Sequence, residues 1–155
     1  MRGVAVVAAL VSLAAAGRVQ GQALNATGRQ QLNFGAVFPG VPEVVSRTDA
    51  ANGGRFDLRG RRNSELRITM TLPASLTAPG GLVLPLLFGP NDGGWNTSNV
   101  IASARAFDPR VPLVTRLSNR GRLYIYLGGT ALPSGTQRSG TYTATVTLTA
   151  AYTGN

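Results

Sequence analysis

The sequence predicts an all-β protein built as an antiparallel sandwich, and three observations predict it. The C-terminal stretch from Gly140 to Tyr152 alternates strictly: Tyr142, Ala144, Val146, Leu148, Ala150 and Tyr152 fall on one face, Thr141, Thr143, Thr145, Thr147 and Thr149 on the other. Period-two alternation with β-branched residues is the pattern of a strand with one buried face. Upstream, roughly eight apolar-alternating runs recur at a spacing of roughly 8–15 residues, separated by Gly, Pro and Asn turn signals, as sandwiches require. Outside the N-terminus no apolar run has a 3.6-residue period long enough for a helix.

In chain order, Met1-Arg2 is a short positive start, and Val4 to Ala16 is an apolar run of Val, Ala and Leu broken only by Ser12. A positive start, a short apolar run and small residues after it are the marks of a secretory signal peptide. The run is shorter than the ~20 residues a membrane-spanning helix needs. Ala16, Gly21 and Ala23 each suit cleavage. With the boundary after Gly21, residues 1–21 are the leader and 22–155 form one domain. No later apolar segment could anchor the chain, so it is expected to be secreted, to a periplasm or a cell surface.

Leu24 to Gln30 is polar and predicts irregular chain. Leu32, Phe34, Ala36 and Phe38 alternate and predict a first strand, ended by Pro39-Gly40. Pro42 to Arg47 fits a short edge strand, since Pro cannot donate to a ladder. Ala51-Asn52-Gly53-Gly54 is a turn, after which Phe56 and Leu58 alternate with Arg55, Asp57 and Arg59. Glu65 to Leu72 predicts a strand with Leu66, Ile68, Met70 and Leu72 inward. Pro79-Gly80-Gly81 turns the chain, and Leu82, Leu84, Leu86 and Phe88 alternate around an outward Pro85. Gly89 to Asn99 predicts a loop with Asn91-Asp92-Gly93-Gly94 at its tip. Asn99 to Phe107 predicts a short strand, and Pro109 and Pro112 bracket irregular chain. Leu123, Ile125 and Leu127 point to the core opposite Arg122, Tyr124 and Tyr126. Gly128-Gly129 and Pro133-Ser134-Gly135 make the last connection. The final strand, thirteen residues from Gly140, would span about 40 Å at ~3.3 Å per residue.

The composition excludes much chemistry. The chain has fifteen arginines and no lysine, histidine or cysteine. There is therefore no disulfide framework, no imidazole or thiolate metal site, and no Ser–His, Cys or Lys nucleophile. The acids Glu43, Asp49, Asp57, Glu65, Asp92 and Asp108 are scattered over turns and outward strand positions, where solvated groups are expected rather than a glycosidase pair. Asn91-Asp92-Gly93-Gly94 lacks the spaced acids of a calcium loop. No enzyme and no cofactor is expected. Asn25-Ala26-Thr27 and Asn96-Thr97-Ser98 match the glycosylation pattern, which arises often by chance.

Removing Arg2 and Arg18 with the leader takes the formal charge from +9 to +7, a balance that suits acidic partners. Only Arg55, Arg59, Arg61 and Arg62 cluster, with Asp57 and Glu65 among them, and nucleic acid is not an expected partner. Trp95 beside a Gly-rich loop, with Tyr124, Tyr126 and Arg122 on one strand face, forms a candidate ligand-contact set for sugar. The alternative for these aromatics is plain packing.

The order of several short motifs carries a resemblance. These are Leu32-Asn33-Phe34-Gly35, Pro39-Gly40, Leu72-Pro73-Ala74-Ser75-Leu76 with Gly80-Gly81, Leu127-Gly128-Gly129-Thr130, and Gly140-Thr141-Tyr142 leading to Tyr152. Together they resemble exported bacterial domains of unknown function similar to spore coat U proteins and to chaperone–usher pilin subunits. A glycine twelve residues before a near-terminal tyrosine, here Gly140 and Tyr152, is similar to the pilin C-terminal signature.

The resemblance implies an immunoglobulin-like sandwich, one strand short in the pilin case. There a periplasmic chaperone, and then the N-terminal extension of the next subunit, fills the gap by strand addition. It implies that Gly140, Tyr142, Ala144, Val146, Leu148 and Tyr152 line the assembly strand and groove. It also implies a structural or adhesive cell-surface role, as a fimbrium or coat subunit in a homopolymer or with other pilus subunits. Two features depart from the pilin pattern. Thr153, Gly154 and Asn155 follow the tyrosine, and Gln22 to Gln31, where a donor segment would lie, is short and polar, with Leu24 and Ala26 beside Ala23 as its apolar residues. The domain is thus read as self-complete or as a terminal or minor subunit. The alternative function is a monomeric secreted module that binds carbohydrate or polyanion.

Overall fold

The computed structural model describes the backbone of residues 4–13 and 22–154, and the side chains of the latter range. Arg2, Arg18 and the cleavage positions Ala16 and Gly21 lie outside the described residues. The fold is all-β, a sandwich of two sheets. The first half of the chain contributes β1 (Val4–Leu13), β2 (Asn25–Gln30), β3 (Ala36–Val37), β4 (Glu43–Val45), β5 (Gly54–Arg59), β6 (Glu65–Thr71) and β7 (Ser75–Ala78). The second contributes β8 (Leu82–Leu87), β9 (Gly93–Asn96), β10 (Arg105–Phe107), β11 (Leu113–Arg116), β12 (Arg122–Leu127), β13 (Gly129–Ala131) and β14 (Tyr142–Tyr152).

The larger sheet runs β11-β6-β14-β7-β8-β13-β4, with β1 and β3 attached, and the smaller runs β10-β9-β12-β5-β2. Every pairing is antiparallel except that of β1 with β14. One continuous core fills the space between the sheets. Leu66, Ile68, Val146 and Leu148 enter it from the larger sheet, and Phe56, Leu58, Leu123 and Ile125 from the smaller. Each of these is at most 1 % exposed, and burying one such side chain is worth about 1.5–3 kcal/mol. No helix among the described residues is long and apolar enough to cross a membrane.

Where alternation is strong the sequence expectation holds. Leu66, Ile68 and Met70 are buried and Arg67, Thr69 and Thr71 exposed on β6. On β8, Pro85 faces out while Leu84 is fully buried. The short edge strand at 43–45 is present, last in its sheet.

Six expectations are corrected. Asn25–Gln30, expected irregular, is a strand along β5, with a register shift between Gly28 and Gln30. It is an edge strand, which main-chain pairing can hold without an apolar face. Leu32 and Phe34 are buried, but Gly35 has φ +63° and the phase slips there. Val37 then enters the core, Ala36 is exposed, and Phe38 is 51 % exposed.

Gly93–Asn96 is a central strand and not the tip of a loop. Its glycines answer close approach, since a Cβ on Gly93 would meet the Phe107 ring at 2.7 Å. Only Arg105–Phe107 of the stretch 99–107 is strand, behind a 3-10 turn at Ile101–Ser103. Gly129–Ala131, expected within a connection, crosses into the larger sheet directly after β12, where Gly128 passes against the Val45 carbonyl with no room for a side chain. The final strand starts at Tyr142 and has 11 residues.

Candidate functional site

β14 is the strand on which the candidate site is built. Tyr142, Val146 and Leu148 are at most 1 % exposed and Ala150 is 6 % exposed, while Ala144 and Tyr152 are half-buried against the same core. A strand has two edges. β1 takes one, running parallel from Val6 opposite Tyr142 to Leu13 opposite Leu148. β6 and β7 therefore share the other, β6 opposite Thr147–Tyr152 and β7 opposite Thr143. The start of β1 also pairs antiparallel with β3, Val4 opposite Val37 and Ala5 opposite Ala36. The segment read from the sequence as a leader thus lies as a strand between β14 and β3.

Polar side chains fix both ends of β14. At its start the Tyr142 phenol donates to the Arg138 carbonyl at 2.7 Å and accepts from Gln137 Nε2 at 2.7 Å. Gln137 Nε2 also donates to the Val83 carbonyl on β8 at 3.1 Å. At its end the Tyr152 phenol accepts from the Arg61 amide at 2.7 Å and donates to the Gln22 carbonyl at 3.2 Å, with the Arg61 guanidinium 5.2 Å over the ring. Gly60 lies under that phenol: a Cβ there would run into the Tyr152 oxygen and sit 3.1 Å from Leu117 and Leu24 methyls. Gly140 is different. It lies two residues ahead of the strand, and an added Cβ would meet Ala78 and Tyr142 at an ordinary 3.6 Å.

The candidate ligand-contact set does not come together. Trp95 stands opposite Ile125 in the ladder and leans on the main core, half-buried, with the Arg105 guanidinium 5.3 Å over its ring. Tyr124 and Tyr126 point to the other side of the smaller sheet. They are not open to solvent there, being 8 % and 2 % exposed. With Ala104 and Ile101 they make a second small cluster beneath the 3-10 turn. The Tyr126 phenol donates to Asn99 Oδ1 at 3.4 Å, and burial raises its pKa. Arg122 stays exposed on the same strand.

Asp57, expected as a solvated acid, is 9 % exposed on this outer face. Arg55 grips it with Nε at 2.8 Å and a terminal nitrogen at 3.1 Å, and Arg29 approaches to 3.4 Å. The hydrogen bond to Asp57 raises the Arg55 pKa, and its guanidinium lies 5.3 Å over the Tyr124 ring. In the exposed loops, the Arg110 side chain holds Asp108 down to a pKa of about 2, and hydrogen bonds from Asn52, side chain first, lower that of Asp49. Asp92 accepts from the Gly89 amide at 2.7 Å, as a turn residue does. No group of three or more potential metal-binding side chains occurs among the described residues.

The cluster Arg55, Arg59, Arg61 and Arg62 divides in two. Arg55 is paired, and Arg61 donates to Ser64 Oγ at 2.7 Å beneath its contact with Tyr152. Arg59 and Arg62 instead line an open cleft of about 340 Å³ with Arg120 and Arg122. Sequence spacing cannot join these four, because the β5–β12 register brings Arg122 directly opposite Arg59 across 63 residues of chain.

Compared with protein-family models the chain matches none, and no curated protein matches it in sequence.

Proposed function

We propose that the chain is an exported, non-catalytic subunit of a cell-surface structure, pilin-like or coat-like, whose β14 edge is completed by a strand from a second polypeptide. The observation that carries this reading is the pairing of Val4–Leu13 with both β14 and β3. That segment has the sequence marks of a removed leader. Its loss would leave the main-chain groups of Tyr142 to Leu148 unpaired along one edge and open the gap to β3. Unpaired edges and exposed apolar surface are costly, and strand addition satisfies both.

A periplasmic chaperone is the first occupant expected, and a second copy or another pilus subunit the next. The parallel run of β1 is a geometry that a visiting strand could adopt: main-chain ladder bonds to β14 on one side and to β3 on the other. The 22–31 stretch is itself engaged in this chain, as β2 along β5. This supports a terminal or minor subunit over one that donates that stretch in strand exchange.

The test is to express the full-length sequence in a bacterium with an export pathway and recover the processed protein. SDS-resistant, heat-labile ladders, or co-purification with a periplasmic chaperone, are the expected outcomes. A processed chain that stays monomeric and refolds unaided would reject the reading.

A further inference from the structure

We propose that the rim formed by Arg59, Arg62, Arg120 and Arg122 is a binding site for an acidic, carboxylate-bearing polysaccharide. This inference does not depend on the assembly reading, because the four arginines lie on the smaller sheet and its turns and the cleft meets β14 only at Tyr152, beyond the Tyr142–Leu148 edge that β1 occupies.

All four side chains are exposed, and among the described residues none takes part in an ion pair. Arg122 and Arg59 stand directly opposite in the antiparallel ladder, where like charges repel. The nearest acid along that face, Asp57, opposite Tyr124, is already held by Arg55 and Arg29. A bound anion would relieve a repulsion that the protein does not itself relieve.

The rim is also rigidly mounted. Ser118 Oγ accepts from the amides of Arg120 and Arg122 at 3.2 and 3.0 Å, and Gly121, at φ +69°, packs against the Gly60 carbonyl while its own carbonyl accepts from the Gly60 amide at 3.0 Å. Planar guanidinium groups on a fixed turn are suited to bidentate contact with carboxylates.

Neighbouring chemistry selects among polyanions. Arg120 and Arg122 also line a second cleft of about 370 Å³, whose other walls are hydroxyls and amides from Thr97, Ser98, Ser118 and Asn119. Such groups bond sugar hydroxyls. Single-stranded nucleic acid wants aromatic faces on which bases stack. The one ring lining this cleft, Tyr124, is 8 % exposed and covered by Arg55.

The experiment uses processed protein recovered from cells expressing the full-length sequence. Alginate, neutral dextran and a single-stranded DNA oligonucleotide are titrated calorimetrically over a salt series. Alginate is expected to bind in a salt-dependent manner and dextran not at all. Arg59→Gln with Arg122→Gln should weaken alginate at least tenfold. Arg67→Gln with Arg138→Gln, which removes the same charge from exposed positions elsewhere, should weaken it less than twofold. Thermal melts confirm that both variants fold. No alginate binding, equal losses from the two double variants, or tighter binding of DNA than of alginate would each overturn the proposal.

Discussion

The two ends of β14 are secured by different means. Its C-terminal half is anchored by the sandwich itself: β6 pairs along one edge, Tyr152 locks onto Arg61 and Gln22, and the Thr153 hydroxyl donates to Glu65 at 2.8 Å. Its N-terminal half has a side-chain anchor in Tyr142 but shares its outer edge only with β1. One half is held by residues 22–153, and the other takes Val6–Leu13 along its outer edge. The proposed strand exchange needs such a division, because a half that exchanges partners must sit on a half that does not unfold when the partner leaves.

The largest effect expected in this comparison comes from the middle of the strand. Leu148 is 0 % exposed and sits where the two halves meet. Leu148→Ala should cost about 2–5 kcal/mol, the range for truncating a buried leucine, seen as a lower chemical-denaturation midpoint with little change in slope. A cost under about 1 kcal/mol would mean that the two sheets are not closed over this strand, and the distinction between its halves would lose its basis.

Next comes the C-terminal lock alone. Gly60→Ala forces a methyl against the Tyr152 oxygen and two leucine methyls, an overpacking expected to cost about 1–3 kcal/mol. Pairing it with Tyr152→Phe sharpens the test. Removing the oxygen deletes the clash and the two hydrogen bonds together, so the double variant should be more stable than the sum of the two single losses predicts. Simple additivity would show that the phenol does not close the strand onto the Gly60 turn.

The parts of this architecture that sequence made legible are those where one face of a strand is buried and the other wet. β6, β12 on its inner side and β14 all read correctly, because the residues around Leu66, Ile125 and Val146 alternate between apolar positions and polar, tyrosine or threonine ones. Three physical causes hid the rest. Edge strands such as β2 are held by backbone pairing and carry no apolar signature. Glycines at 93, 94 and 128 look like turn residues but are selected by close packing within or beside strands. Tyr124 and Tyr126 sit on what alternation calls the outer face, yet a loop covers it and buries them. The arginine rim was hidden for a fourth reason: Arg59 and Arg122 meet only through cross-strand register, which no local pattern encodes.

The smallest expected effect concerns Gly140, the residue that the resemblance to pilins emphasises most. Its φ lies outside the left-handed region and an added methyl finds 3.6 Å of clearance to its nearest neighbours. Nothing in the fold of this chain therefore demands glycine. Gly140→Ala should move stability by no more than about 0.5 kcal/mol, and the lower entropy of the unfolded chain favours the alanine. The informative case is a thermal melt that does not change together with assembly ladders that disappear. That result would place the requirement for glycine in the proposed strand addition, at the edge where β1 runs along β14 from Tyr142, and would separate what a partner needs from what the sandwich needs. Unchanged ladders as well would mean that the glycine–tyrosine spacing carries no structural demand here, and that the resemblance must rest on the strand edge alone.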